Sequence, residues 1–205
     1  TAKLVADLLS QAGADRILTL DLHAAQIQAY FDMPVDHLFA TPVLLEAIER
    51  MGLPDLMIVS PDAGGVERAR AVAKRLDTGL AIVDKRRTAP NEASVMHVIG
   101  DVKGRPVLII DDIVDTAGTL THTVTALREH GAEQVFAAGV HGVLSGPALD
   151  RVENSEIEKL LITDTTPLDK KLQRCSKLEP LSVAALLGEA IQRIHRNSSV
   201  SSLFV

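Results

Sequence analysis

Asp111 and Asp112 stand side by side after the aliphatic run Val107-Leu-Ile-Ile110, and Asp115-Thr116-Ala117-Gly118-Thr119 follows almost at once. Adjacent carboxylates repel each other unless a cation or sugar hydroxyls relieve them. The pair therefore suits ribose hydroxyls or a hard, oxygen-seeking ion such as Mg2+. The next residues are small and rich in donors, and they lead into a helical pattern from Leu120 to His130. Backbone N–H groups at a helix N-terminus, with hydroxyls beside them, suit a phosphate. Gly118 permits a close backbone approach. A plain helix cap would not need so many donors in succession. The stretch implies a sugar phosphate with a metal.

Other groups also carry chemistry. Asp84-Lys85-Arg86-Arg87 follows the strand-like Leu80-Ala-Ile-Val83. On the residues alone this pattern favours a solvated basic loop, although a Lys beside a forked Arg can also hold phosphate oxygens. His23 closes the run Ile17–Leu22, two residues after Asp21. A lone His is more often structural than a ligand. Asp62 lies in Pro61-Asp-Ala-Gly-Gly65 after the apolar Leu56–Ser60. Ser199, Ser201 and Ser202 sit in a polar tail that ends in Leu203-Phe204-Val205.

Elements must hold these residues in place. Apolar runs at Ile17–Leu22, Leu56–Ser60, Leu80–Val83, Val107–Ile110, Gln134–Val140 and Ile157–Thr163 read as strands. Helical patterns alternate with them, one of them from Pro42 to Met51 with Thr41 as N-cap, and the last from Val183 to His195 with Ser182 as its cap. Met33 to Pro42 reads as a connection, and Thr88 to Arg105 as a long excursion whose middle forms a strand or hairpin arm. This alternation predicts an α/β fold with a doubly wound parallel sheet. The chain has 205 residues, 46% hydrophobic but only 2% aromatic, so its core is aliphatic. With a net charge of −6 and no long Lys/Arg run, nothing points to nucleic acid. A single cysteine, Cys175, fits a reducing cytoplasm. No apolar run is long enough for a membrane span. The chain opens inside a helical pattern without an initiator Met, so a preceding segment is expected.

Val107 to Leu120 resembles the phosphoribosyl-pyrophosphate (PRPP) signature of type I phosphoribosyltransferase-like folds. Asp21 to Phe31, Ser60 to Arg70, Asp84 to Asn91, His141 to Ala148 and Ser199 to Phe204 resemble, in order, further segments of the ribose-phosphate pyrophosphokinase family. The resemblance runs nearly from Thr1 to Phe204. It implies a phosphoribosyltransferase-like domain over 39–195, preceded at 1–38 by the remnant of a similar domain, with the tail 196–205 packing back on the latter. The implied reaction moves the diphosphoryl group of ATP to the C1 hydroxyl of ribose 5-phosphate, giving PRPP and AMP. Lys85 and Arg87 are then catalytic. Asp111, Asp112, Asp115, Thr116, Ala117, Gly118 and Thr119 bind ribose 5-phosphate. His23 and Asp62 serve Mg2+, the one through a partly water-mediated contact and the other through oxygen. Ser199, Ser201 and Ser202 form a regulatory ADP or phosphate site between subunits of a homo-oligomer, a hexamer built from dimers. A phosphoribosyltransferase shares only the Asp111–Thr119 loop, and a non-catalytic regulatory subunit is expected to disrupt the Lys85 segment.

Overall fold

Short β-branched and leucine-rich runs bounded by turn residues become strands, and longer stretches with an apolar face become helices. In a computed structural model, which describes residues 1–86 and 95–203, these are α1 (Ala2–Gln11), β1 (Ile17–Leu20), β2 (Val35–Leu38), α2 (Thr41–Met51), β3 (Met57–Ser60), α3 (Val66–Arg75), β4 (Gly79–Arg86), β5 (Val95–Ile99), β6 (Pro106–Ile113), α4 (Gly118–Glu129), β7 (Gln134–His141), α5 (Ala148–Glu153), β8 (Ile157–Thr163), α6 (Asp169–Leu172), β9 (Leu178–Leu181) and α7 (Ala184–His195). Two units result, one of Thr1–Pro42 with Val183–Val205 and one of Val43–Ser182.

In the larger unit the described strands run β5-β4-β3-β6-β7-β8-β9, parallel throughout except for the β4–β5 pair. The central strands are buried on both faces, as parallel sheets require. Val59, Val107 and Ile109 join Leu120, Val124 and Leu127 of α4 and Leu149 and Val152 of α5 in one core cluster. Their alternates Ile58, Leu108 and Ile110 are fully buried outside that cluster. From β3 the chain passes through α3 to β4 on one side, and later returns to place β6 on the other. The order therefore reverses between β3 and β6, and ligands of open α/β sheets bind beyond the strand ends at such a point.

The smaller unit holds a parallel pair, β1 with β2, in the register Ile17↔Val35 to Leu20↔Leu38. The Leu4, Val5, Leu8 and Leu9 stripe of α1 is exposed in this unit, and Ala6 is the buried residue of that helix.

Three local features differ from the sequence expectation. Residues 35–38, read as connection, form β2, because Ile17–Leu20 supplies the ladder partner. β4 does not stop at Val83. It runs on through Asp84, Lys85 and Arg86, because β5 returns antiparallel and pairs those positions with His97, Met96 and Val95. β9, with Pro180 in it, is an edge strand, the place where a proline is tolerated. Helix α7 groups with the smaller unit, where its Ile191 and Ile194 line a groove with Arg16 and Leu18 of the β1 segment.

Gly100 ends the hairpin arm β5 at φ +115°, and a Cβ there would lie 2.9 Å from Ala81 Cβ and 3.1 Å from Ala81 Cα. Gly100→Ala should therefore lower the stability of the chain by about 1–3 kcal/mol, since overpacking adds to a backbone angle that alanine resists. Urea unfolding measures this, and an unchanged midpoint would contradict the packing described for β4 and β5.

Candidate active site

β6 carries its aliphatic run up to the reversal point and ends on the two acids. Asp111 is half-buried and Asp112 buried. The pair is held locally: the Asp112 backbone N–H donates to Asp111 Oδ1 (2.9 Å), and the Ile113 N–H donates to Asp112 Oδ1 (2.9 Å). Arg68 of α3 brings Nη2 to 3.3 Å from Asp112 Oδ2, which makes Asp112 the charged partner. The Asp111 carboxyl is pushed up to about 7, first by burial, then by its hydrogen bond and charge contact with Asp112 and by the charge of Asp62. The site therefore holds a proton near neutral pH, and a cation or sugar hydroxyls could replace it.

Asp62 follows β3, the neighbour of β6. Its Oδ1 accepts the Gly65 N–H at 2.8 Å, and Ser60 Oγ donates to the Asp62 carbonyl at 2.7 Å. These bonds fix the turn before α3 and keep Asp62 near enough to Asp111 to act on its proton.

The 115–119 loop leaves β6 and enters α4. Ala117 sits at its N-cap in the left-handed region, φ 57°. A non-glycine residue there is costly and persists only where its surroundings impose it. Asp115 and Thr116 are exposed, as is Thr119. The Asp115 carboxylate accepts a hydrogen bond from Ser145 Oγ. That bond ties the start of the loop to Ser145, 30 positions further along the chain.

Lys85 lies in β4, opposite Met96. Arg87 falls outside the described residues. His23 belongs to the smaller unit, where it is exposed after β1. The turn that carries it is held by three bonds. Asp21, at φ 44°, donates its N–H to the Leu38 carbonyl (2.9 Å), Asp21 Oδ2 accepts the Ala40 N–H (2.6 Å), and the Leu22 N–H donates to His37 Nε2 (2.9 Å). His37 therefore accepts at Nε2, with Gln28 Nε2 lying 3.1 Å from its Nδ1, and burial lowers its pKa. Neither His37 nor Arg68 carried a sequence signal. The proline-flanked run around β2 hides the one, and an ordinary helical Arg pattern the other. Ser199 Oγ donates to Ser201 Oγ (3.0 Å), and Arg193 bonds to Ser202 Oγ and to the Ser199 carbonyl.

Asp111 and Asp112 offer hard carboxylate oxygens of the kind Mg2+ takes. Among the described residues, no group of three or more His, Cys, Asp or Glu side chains could by itself hold a metal ion. Mg2+ is usually held by one or two carboxylates together with substrate phosphates and water. No described helix is long and apolar enough to cross a membrane.

The family model of the phosphoribosyl synthetase-associated domain matches residues 86–205. Among curated relatives, the ribose-phosphate pyrophosphokinase of Chromobacterium violaceum is 54% identical over 204 residues, all of this chain and 62% of that protein. The ribose-phosphate pyrophosphokinase of Nitrosomonas europaea is 53% identical over 205 residues, covering 65% of that protein. The chain thus spans somewhat under two thirds of these relatives' length. In the crystal structure of phosphoribosylpyrophosphate synthetase from Mycobacterium smegmatis, 64% of the solved chain matches 96% of this one, with TM-score 0.88 and 41% identity.

The raised Asp111 gives a pH signature with a definite sign. A group whose folded-state value is raised stabilises fully below its unfolded value, and that contribution is lost as pH rises through the folded value. For Asp111 the window runs from 3.8 to about 7. Urea midpoints of the ligand-free chain should fall across this window, and Asp111→Asn should flatten the fall. A variant that kept the full slope would contradict the assignment.

Proposed function

The chain belongs to the phosphoribosyl synthetase-associated domain family, and from that premise we propose that it provides the ribose 5-phosphate side of a ribose-phosphate diphosphokinase. Such an enzyme transfers the diphosphoryl group of ATP to the C1 hydroxyl of ribose 5-phosphate and releases PRPP and AMP. The observation that supports this reading most is the acid pair followed at once by a donor-rich helix start, at the point where the strand order reverses.

In this reading Asp111 and Asp112 accept hydrogen bonds from the two ring hydroxyls, which orients the sugar. The N–H groups of 115–119, with the hydroxyls of Thr116 and Thr119, hold the 5-phosphate. The C1 oxygen attacks the β-phosphorus of ATP, and the bond from that phosphorus to the oxygen bridging it to the α-phosphate breaks. AMP leaves, and the hydroxyl proton passes to solvent. Lys85 and Arg87 supply positive charge to the phosphate oxygens during transfer, where positioning and charge provide most of the catalysis. Asp62, His23 and the acid pair are the side chains that would serve Mg2+. When bound, the ion neutralises phosphate charge.

The reading extends to regulation and assembly. Ser199, Ser201 and Ser202, gathered beside Arg193, would take the phosphates of ADP or free phosphate in a homo-oligomer built as a hexamer of dimers. A cytoplasmic location accords with the single cysteine. A phosphoribosyltransferase would use the same loop, but the named relatives favour the diphosphokinase.

The test is AMP formation from ATP and ribose 5-phosphate with Mg2+. Lys85→Ala should lower kcat on the order of 100- to 1000-fold and leave ribose 5-phosphate binding intact. Transfer of a base to PRPP without any AMP, or an unchanged rate in the variant, would overturn the proposal.

A further inference from the structure

The segment His141–Ala148 follows β7 and leads into α5. Its bonds converge on the phosphate loop. The Val114 N–H donates to the His141 carbonyl (2.9 Å), and the Leu144 N–H returns to the Val114 carbonyl (3.0 Å). The Ser145 N–H donates to the Asp115 carbonyl (3.0 Å), and Ser145 Oγ donates to the Asp115 carboxylate. Arg151 Nη1 donates to the Thr116 carbonyl (2.9 Å). The carbonyls of 114, 115 and 116 are thus all taken by residues of 141–151.

We propose that Ser145 and Arg151 are positioning residues for the phosphate loop: the brace they form turns the loop's backbone N–H groups towards the anion, and Arg151 adds its charge. The inference rests on the reading of 115–119 as the ribose 5-phosphate loop. Its physical basis is the planar peptide. The N–H of each unit points opposite to the carbonyl of the preceding residue. With the carbonyls of 114, 115 and 116 facing the brace, the N–H groups of Asp115, Thr116 and Ala117 face the other way. The N–H groups of Gly118 and Thr119 join them at the start of α4, where helix N–H groups have no intrahelical acceptor. The left-handed Ala117 curls this series into a concavity of the kind that binds anions.

Gly118 takes on a second role here. A Cβ at this position would lie 3.3 Å from Arg151 Nη1, so the glycine lets the guanidinium rest against the loop. The brace is itself held. Thr166 Oγ1 donates to the Gly142 carbonyl (2.7 Å), and Lys171 Nζ donates to the carbonyls of Gly142 (2.8 Å) and Val143 (3.0 Å). Leu144 is kept at φ 49°, a conformation a leucine adopts only when its surroundings impose it. A flexible lysine would supply the charge of Arg151 without its planar fork.

The test is calorimetric titration of the chain with ribose 5-phosphate and, separately, with inorganic phosphate, both with Mg2+ present. Arg151→Gln should weaken both ligands about tenfold, the scale of a hydrogen bond to a charged group. Arg151→Lys should recover part of the loss, which a purely structural role would not predict. Ser145→Ala weakens both ligands through the other end of the brace, and it reads the same device where Arg151→Gln fails to fold. Ribose 5-phosphate binding by the unmodified chain, with equal binding by Arg151→Gln and by Ser145→Ala, overturns this inference and leaves the loop assignment standing. Absence of binding by the unmodified chain overturns both.

Discussion

Two carboxylates forced together at the end of a buried strand set the terms for the rest of the larger unit. Asp111 and Asp112 are consecutive, and the aliphatic run before them has water on neither face. Burial makes two negative charges there costly, so the Asp111 carboxyl keeps its proton up to about pH 7. Arg68 stands on Asp112 and Asp62 acts on Asp111. The ligand-free pair is thus electrostatically strained. In the proposed reading an oxygen-seeking cation would take the place of the proton, and sugar hydroxyls would donate hydrogen bonds to both acids.

The fold turns that local tension into a shaped site. The strand order reverses beside β6, the place where ligands of open α/β sheets bind, and the acids stand there. The loop that follows must turn from strand to helix within a few residues, and it does so through a left-handed alanine. That conformation costs energy, and hydrogen bonds from 141–151 to three successive carbonyls hold it. Preorganisation of this kind is what an anion site gains from, and in the proposed reading no N–H would need to reorient to meet the phosphate.

The central features were legible because they are contiguous in the chain. An apolar run, two acids and a donor-rich helix start occupy Val107–Leu120, and local rules suffice to read them. What escaped depends on partners distant in sequence. β2 exists because of Ile17–Leu20, and β4 extends past Val83 because β5 returns beside it. Arg68 reaches an acid 44 positions on, with β4 and β5 between them. The brace from Arg151 to Thr116 spans 35 positions. His37 resembles any strand histidine until the Leu22 N–H is seen to meet it. None of these contacts has a periodicity or a motif that composition could reveal.

In the proposed reading, ribose 5-phosphate binds at the C-terminal strand ends of the larger unit. The opposite ends offer a rival, a polar groove lined by Asp55, Thr78 and Arg105. Chemical-shift mapping of the isotope-labelled chain with ribose 5-phosphate and Mg2+ decides between them. The backbone N–H signals of 116–119 and the carboxyl carbons of Asp111 and Asp112 should move together and saturate at one ligand concentration. Shifts confined to the Asp55, Thr78 and Arg105 region, or carboxyl carbons that stay fixed while the loop responds, would contradict the account.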